Sequence, residues 1–83
     1  MNELFLKVKN LIETEKNNHL TIMHDEALRN QSRIIVECGV DRGTSTYAFL
    51  LASEKINCKL FSFDIRDCSN ILKHKNWNFL QTN

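Results

Sequence analysis

Ile34-Ile35-Val36-Glu37-Cys38-Gly39-Val40-Asp41-Arg42-Gly43-Thr44-Ser45-Thr46 is the stretch on which the fold of this chain turns. Three consecutive β-branched residues make a strand, and their unbroken run suits one covered on both faces. Gly39 and Gly43 are the only glycines of the chain, and both fall within one short turn. Lacking Cβ, they admit positive φ and let backbone amides approach a ligand closely. Thr44, Ser45 and Thr46 then open a helix, whose free N–H groups and positive dipole end face back toward the turn. The segment reads as strand, tight turn and helix start, with Glu37 closing the strand.

Working outward, Thr44 to about Lys55 is a helix, and its Tyr47-Ala48-Phe49-Leu50-Leu51-Ala52 run predicts that it is largely buried. Asn57 is a left-handed stop behind it. Lys59 to Phe63 forms the second strand, closed by Asp64. Asp67 or Ser69 is read as the cap of a short helix to about Lys75, and Trp77, Phe79 and Leu80 mark a third strand over about 77–81. On the amino-terminal side, Leu4, Phe5, Val8, Leu11 and Ile12 recur at helical spacing, so Asn2 to about Glu15 is an amphipathic helix. Lys16 to His19 breaks the pattern. Thr21 is read as the cap of a second helix to about Asn30, with Met23, Ala27 and Leu28 on one face.

These elements define an α/β chain in two parts, a helical segment over 1–32 and a βαβαβ unit over 33–83. The alternation predicts parallel strands in spatial order 3-2-1 with right-handed crossovers. In a doubly wound sheet the first strand is flanked on both sides. No fourth strand follows here, so the edge at Ile34–Val36 is expected to be unpaired. The expectation is an amino-terminal piece of a longer protein, or a chain whose edge a partner covers.

Composition bounds the rest. The 83 residues are 42% apolar and 25% charged with a net charge of +1, which gives no electrostatic pointer to nucleic acid or an anionic membrane. No apolar run approaches the roughly 20 residues of a membrane span, and Met1 to Lys9 lacks a signal-peptide core. A cytoplasmic or similarly reducing location follows as the default. Cys38, Cys58 and Cys68 lack the paired spacings of a metal or redox site and read as free, buried or half-buried thiols. His19, His24 and His74 form no ligand cluster, and His24-Asp25-Glu26 reads as helix surface. No metal site is expected. Tyr47, Phe49, Phe61 and Phe63 read as core, Trp77 as core or edge cover, and Arg42 as solvated or paired with Asp41.

Two acids closing adjacent strands beside a glycine turn is how open α/β sheets hold a nucleoside-containing cofactor. Glu37-Cys38-Gly39-Val40-Asp41-Arg42-Gly43-Thr44-Ser45-Thr46 resembles motif I of the class I S-adenosylmethionine-dependent methyltransferases, E-x-G-x-x-x-G, and Asp64 resembles their motif II acid. The resemblance covers about Ile34 to Asn83 and implies a partial Rossmann-like fold with S-adenosylmethionine as cofactor. It implies that Gly39, Val40 and Gly43 cradle the cofactor, that Glu37 orders the turn or meets the cofactor's amino group through water, and that Asp64 accepts the ribose hydroxyls. Ser45 and Thr46 bond the cofactor carboxylate on this reading, or serve as ordinary first-turn residues. Asp64 stands 21 residues past Gly43, at the spacing of a ribose-binding acid. Catalytic residues and the acceptor pocket would lie beyond Asn83, so methyl transfer by this chain alone is not expected.

Two other functions compete. A nicotinamide or other dinucleotide domain wants G-x-G-x-x-G, but Asp41 stands where the middle glycine would admit a pyrophosphate, and a carboxylate repels a diphosphate. A non-catalytic assembly module would use the free sheet edge to pair with another chain.

Overall fold

The computed structural model describes residues 3–82, so Asn2, where the first helix was expected to begin, and Asn83 lie outside the described residues. Three helices and a three-stranded parallel sheet follow one another as α1 (Glu3–Thr14), α2 (His19–Arg29), β1 (Ile34–Cys38), α3 (Thr44–Ile56), β2 (Lys59–Asp64) and β3 (Trp77–Gln81). The sheet runs β1-β2-β3, with Glu37 opposite Ser62 and Ser62 opposite Phe79. Among the described residues, no helix is long and apolar enough to cross a membrane.

The core follows from α3. Tyr47, Ala48, Leu50, Leu51 and Ala52 are all buried, because α3 lies between the sheet and the other two helices. Val8 and Ile12 of α1, Leu20 of α2, Leu60 of β2 and Leu72 join the same cluster. Asn57 ends α3 at φ 55°, the left-handed conformation that asparagine tolerates, with its N–H bonded to the Ser53 carbonyl. Phe5 meets Tyr47 edge to face at 5.3 Å, which fixes α1 against the amino end of α3.

Three local expectations fail, each for a physical reason. The cap of α2 is Asn18 and not Thr21: the Asn18 Oδ1 accepts the Thr21 N–H at 3.0 Å, while the Thr21 hydroxyl donates back to the Glu15 carbonyl. The polar break in the hydrophobic pattern is itself the cap. Secondly, no helix forms between β2 and β3. Asp67 Oδ1 takes both the N–H and the hydroxyl of Ser69, at 3.0 and 2.5 Å, and this two-residue loop competes with helical backbone bonding. The segment is instead pinned by buried Cys68 and Leu72 and by His74, whose Nε2 meets the Glu54 carboxylate at 2.7 Å.

Thirdly, β1 is not covered on both faces. Ile35 and Glu37 turn toward the helices, but Ile34 and Val36 are each 62% exposed. Leu80 of β3 is also exposed, and Phe61 and Phe63 of β2, on the same side by alternation, are only half-buried rather than core. Among the described residues, one face of the sheet is covered by helix and the other is bare.

Candidate functional site

The turn between β1 and α3 holds three left-handed residues, Gly39 at φ 93°, Asp41 at 52° and Gly43 at 94°. The Gly39 N–H extends the ladder to the Phe63 carbonyl at 2.7 Å, and the Gly43 N–H closes on the Val40 carbonyl at 2.9 Å. The two glycines are required for different reasons. A Cβ on Gly43 would come within 3.3 Å of Ile71 Cγ2, whereas one on Gly39 would meet nothing within 4 Å. Gly43 is packed against the β2–β3 segment, and Gly39 borders open space at the carboxyl end of the sheet. Gly43 also stands at the cap position of α3 with no side chain to offer, so the first-turn amides of α3 have no capping side chain.

Asp64 ends β2 beside this turn. Its Oδ2 accepts the Val40 N–H at 2.8 Å and its Oδ1 accepts the Arg66 N–H at 3.0 Å. The Arg66 and Val40 amides, with help from the Arg66 guanidinium, hold its carboxyl at about 2, below the ordinary range. Asp64 therefore clamps the glycine turn to the end of β2. Each carboxylate oxygen has two acceptor positions. The Asp41 amide, the Cys68 thiol and the Arg66 guanidinium also approach this carboxylate, and its side chain is only 9% exposed.

Glu37 lies on the helix side of β1 and is 6% exposed. Three hydroxyls converge on its carboxylate: Ser45 on Oε2 at 2.5 Å, and Thr46 and Ser62 on Oε1 at 2.6 and 2.8 Å. Ser62 in turn accepts the Trp77 indole N–H at 2.9 Å. The network thus ties β3, β2 and β1 to the first turn of α3. Burying a carboxylate costs several kcal/mol, and hydrogen bonds to a charged group return about 1.5–3 kcal/mol each. Three of them are enough to hold it.

Most of the residues anticipated from sequence gather here. Gly39, Gly43, Val40 and Asp64 share one end of the sheet, with Val40 directing its side chain into the core and its amide to Asp64. Glu37 and Ser45 sit one layer below, bonded to each other. The sequence reading missed Ser62 as the third donor to Glu37. Its signal was a lone hydroxyl among Leu60, Phe61 and Phe63, in register with Glu37.

Other expectations hold only in part. Asp41 pairs with Arg66 at 3.5 Å, while Arg42 is exposed, in line with the solvated alternative expected for it. Cys58 and Cys68 are buried thiols, both raised by that burial, but Cys38 is exposed. His24 is not helix surface: at 2% exposure its ring lies between Asp25 Oδ1 and Lys55 Nζ, 2.9 Å from each. Lys55 can only donate, so the matched arrangement has Nε2 accepting from it and Nδ1–H donating to Asp25. His24 and Lys55 line a cavity of about 410 Å³ between the helices, and the paired ring there is a satisfied structural group. No metal-holding cluster of His, Cys, Asp or Glu occurs among the described residues.

No protein-family model, curated protein or solved structure matches this chain.

Proposed function

We propose that this chain is the S-adenosylmethionine-binding portion of a class I methyltransferase, its β1-β2-β3 sheet being the 3-2-1 half of a Rossmann-like fold. It would support methyl transfer to an acceptor bound elsewhere. The observation that carries the reading is Asp64. Its carboxylate ends the strand next to β1, braced by the Val40 and Arg66 amides at the same sheet end as the glycine turn, and on this reading it accepts a ribose diol. The open space beside Gly39 supplies room for a ligand against bare backbone. Free thiols at Cys38, Cys58 and Cys68 accord with the reducing, cytoplasmic setting that this function implies.

A dinucleotide fits less well. Asp41 puts an exposed carboxylate on the turn where a pyrophosphate would have to approach the backbone. The test is direct titration with S-adenosylhomocysteine and with NAD, followed by Trp77 fluorescence. S-Adenosylhomocysteine is expected to bind more tightly, and Asp64→Ala to weaken it by roughly tenfold to a hundredfold, the usual effect of removing a charged hydrogen-bond partner. Tighter binding of NAD, or equal affinity in the variant, rejects the assignment.

A second reading rests on a different observation, the edge of β1, unpaired among the described residues, beside exposed Ile34 and Val36. An apolar open edge is a template for pairing with another strand. On this reading the chain is an assembly module that pairs with a second copy of itself. Sedimentation over a concentration series separates the two: a monomer at all concentrations removes the assembly reading.

A further inference from the structure

We infer that Glu37 is a positioning residue, which acts on the ligand only by fixing the glycine turn and tying it to β3, and never by meeting the cofactor's ammonium group. The inference rests on the S-adenosylmethionine reading for its ligand, but not for its geometry. A carboxylate near an amino-acid tail is the natural partner for that tail's ammonium, so the competing role is concrete. The structure assigns the carboxylate elsewhere. Oε1 holds Thr46 and Ser62, Oε2 holds Ser45, and the group lies beneath the turn on the helix side of β1. Only one of the four acceptor positions of Glu37 is left, on Oε2, and at 6% exposure the carboxylate is closed to an ammonium unless the hydroxyls that link it to the first turn of α3 give way.

The network has a direction. The Trp77 indole donates to Ser62, Ser62 donates to Glu37, and Ser45 and Thr46 donate to Glu37 from α3. Every hydroxyl in it has a donor role toward one carboxylate, so Glu37 is the common acceptor that sets the other groups. Immediately after those hydroxyls, the Tyr47 N–H makes the bond to the Gly43 carbonyl that begins α3, at 2.8 Å. Loosening the carboxylate therefore loosens the cap position of α3, and with it the backbone that faces the ligand. The indole at the far end of the network belongs to the only tryptophan, so its emission reports the state of the network.

Glu37→Gln keeps the shape of the side chain and removes its charge, which makes it the informative variant. Its affinities for S-adenosylhomocysteine and for 5′-methylthioadenosine, the same nucleoside thioether without the amino-acid tail, separate the two roles. A positioning role predicts that both affinities fall together by about tenfold. Their ratio then stays that of the parent protein. A fall for S-adenosylhomocysteine with 5′-methylthioadenosine untouched overturns the inference, and so does no change in either. Ser62→Ala, which removes one donor and leaves the charge, is expected to act in the same direction and less strongly.

Amide hydrogen exchange tests the geometry without a ligand. Glu37→Gln is expected to speed exchange at the Gly43 and Tyr47 amides while the β2–β3 ladder keeps its protection. Unchanged exchange at both amides overturns the positioning role. If the parent protein binds neither nucleoside, the methyltransferase reading fails by itself, and the exchange rates still decide the role of Glu37.

Discussion

The two faces of the sheet are built on opposite principles. On the helix face, Leu60 and Ser62 are fully buried and even a carboxylate, Glu37, is sealed in by three hydroxyls. On the bare face Ile34, Val36 and Leu80 stand exposed, with Lys59 and Asn78 on the same side by register. The alternation of a strand assigns its side chains to the two faces without regard to what covers them. The covered face carries the stability of the fold and the scaffold of the proposed site. The bare face carries surface that the described residues leave without an occupant.

The largest effect is expected where the covered side meets the turn. Gly43→Val forces a β-branched residue to φ 94° and drives its Cβ to within 3.3 Å of Ile71. Left-handed strain and overpacking together should cost roughly 2–5 kcal/mol. Denaturant unfolding measures it, and a variant as stable as the parent would show that the turn is not held against the β2–β3 segment.

Next comes a paired test of the faces themselves. Leu60→Ala on the helix face should destabilise by about 2–5 kcal/mol, because it leaves a cavity in the cluster around α3. Val36→Ala, one strand away on the bare face, should change stability by less than about 0.5 kcal/mol. Leu60→Ala removes one carbon more than Val36→Ala, worth about 0.8 kcal/mol if buried, so burial sets the larger part of the contrast. Comparable losses would mean that the face at Val36 is covered in solution, as a second copy would cover it.

The same contrast explains how much was legible in the residues. The strands, α3 and the glycine turn were readable because their signals are local: β-branched runs, a nearly all-apolar helix, two glycines in one turn. The bare face was not. Ile34-Ile35-Val36 has the composition of a doubly covered strand, and composition does not reveal whether the second cover is present. The supposed helix at Asp67 failed because an aspartate two residues before a serine makes a cap and a turn from the same atoms. The acids were legible as a pair at strand ends, but their roles were not, since Ser62 reaches Glu37 across strands from 25 positions away. His24 was hidden for the same reason: Lys55, which completes its burial, lies on another helix.

A smaller effect makes the contribution of Asp64 depend on pH. The folded carboxyl of Asp64 sits at about 2, held there by the Arg66 and Val40 amides. An unfolded aspartate titrates near 3.9. The stabilisation from Asp64 is therefore fully present above about pH 4 and is lost as pH falls from there through about 2. Asp67 is also lowered, by the Ser69 hydroxyl and amide, so acid destabilisation of the parent alone does not isolate Asp64. The difference in melting temperature between the parent and Asp64→Asn does. It is expected to narrow steadily between pH 5 and pH 2 on the scale set by those two values, and a gap constant across that range would contradict the clamp.

The smallest effect belongs to Asp41, the one residue of the turn that departs from the glycine pattern. It adopts φ 52° without being glycine, so the conformation for which glycine is favoured is present even though the residue is not. Asp41→Gly relieves a left-handed side chain, adds freedom to the unfolded chain and removes an exposed 3.5 Å pair with Arg66. These terms are each of order 1 kcal/mol or less and oppose one another, which puts the net change within about 0.5 kcal/mol. Asp41→Val keeps the strain and loses the tolerance of aspartate for it, so it should cost about 1–2 kcal/mol. Denaturant unfolding of both variants reads the sign. If valine is accepted as readily as glycine, the turn relaxes out of its left-handed form in solution. The space beside Gly39 would then not be a preformed ligand cradle.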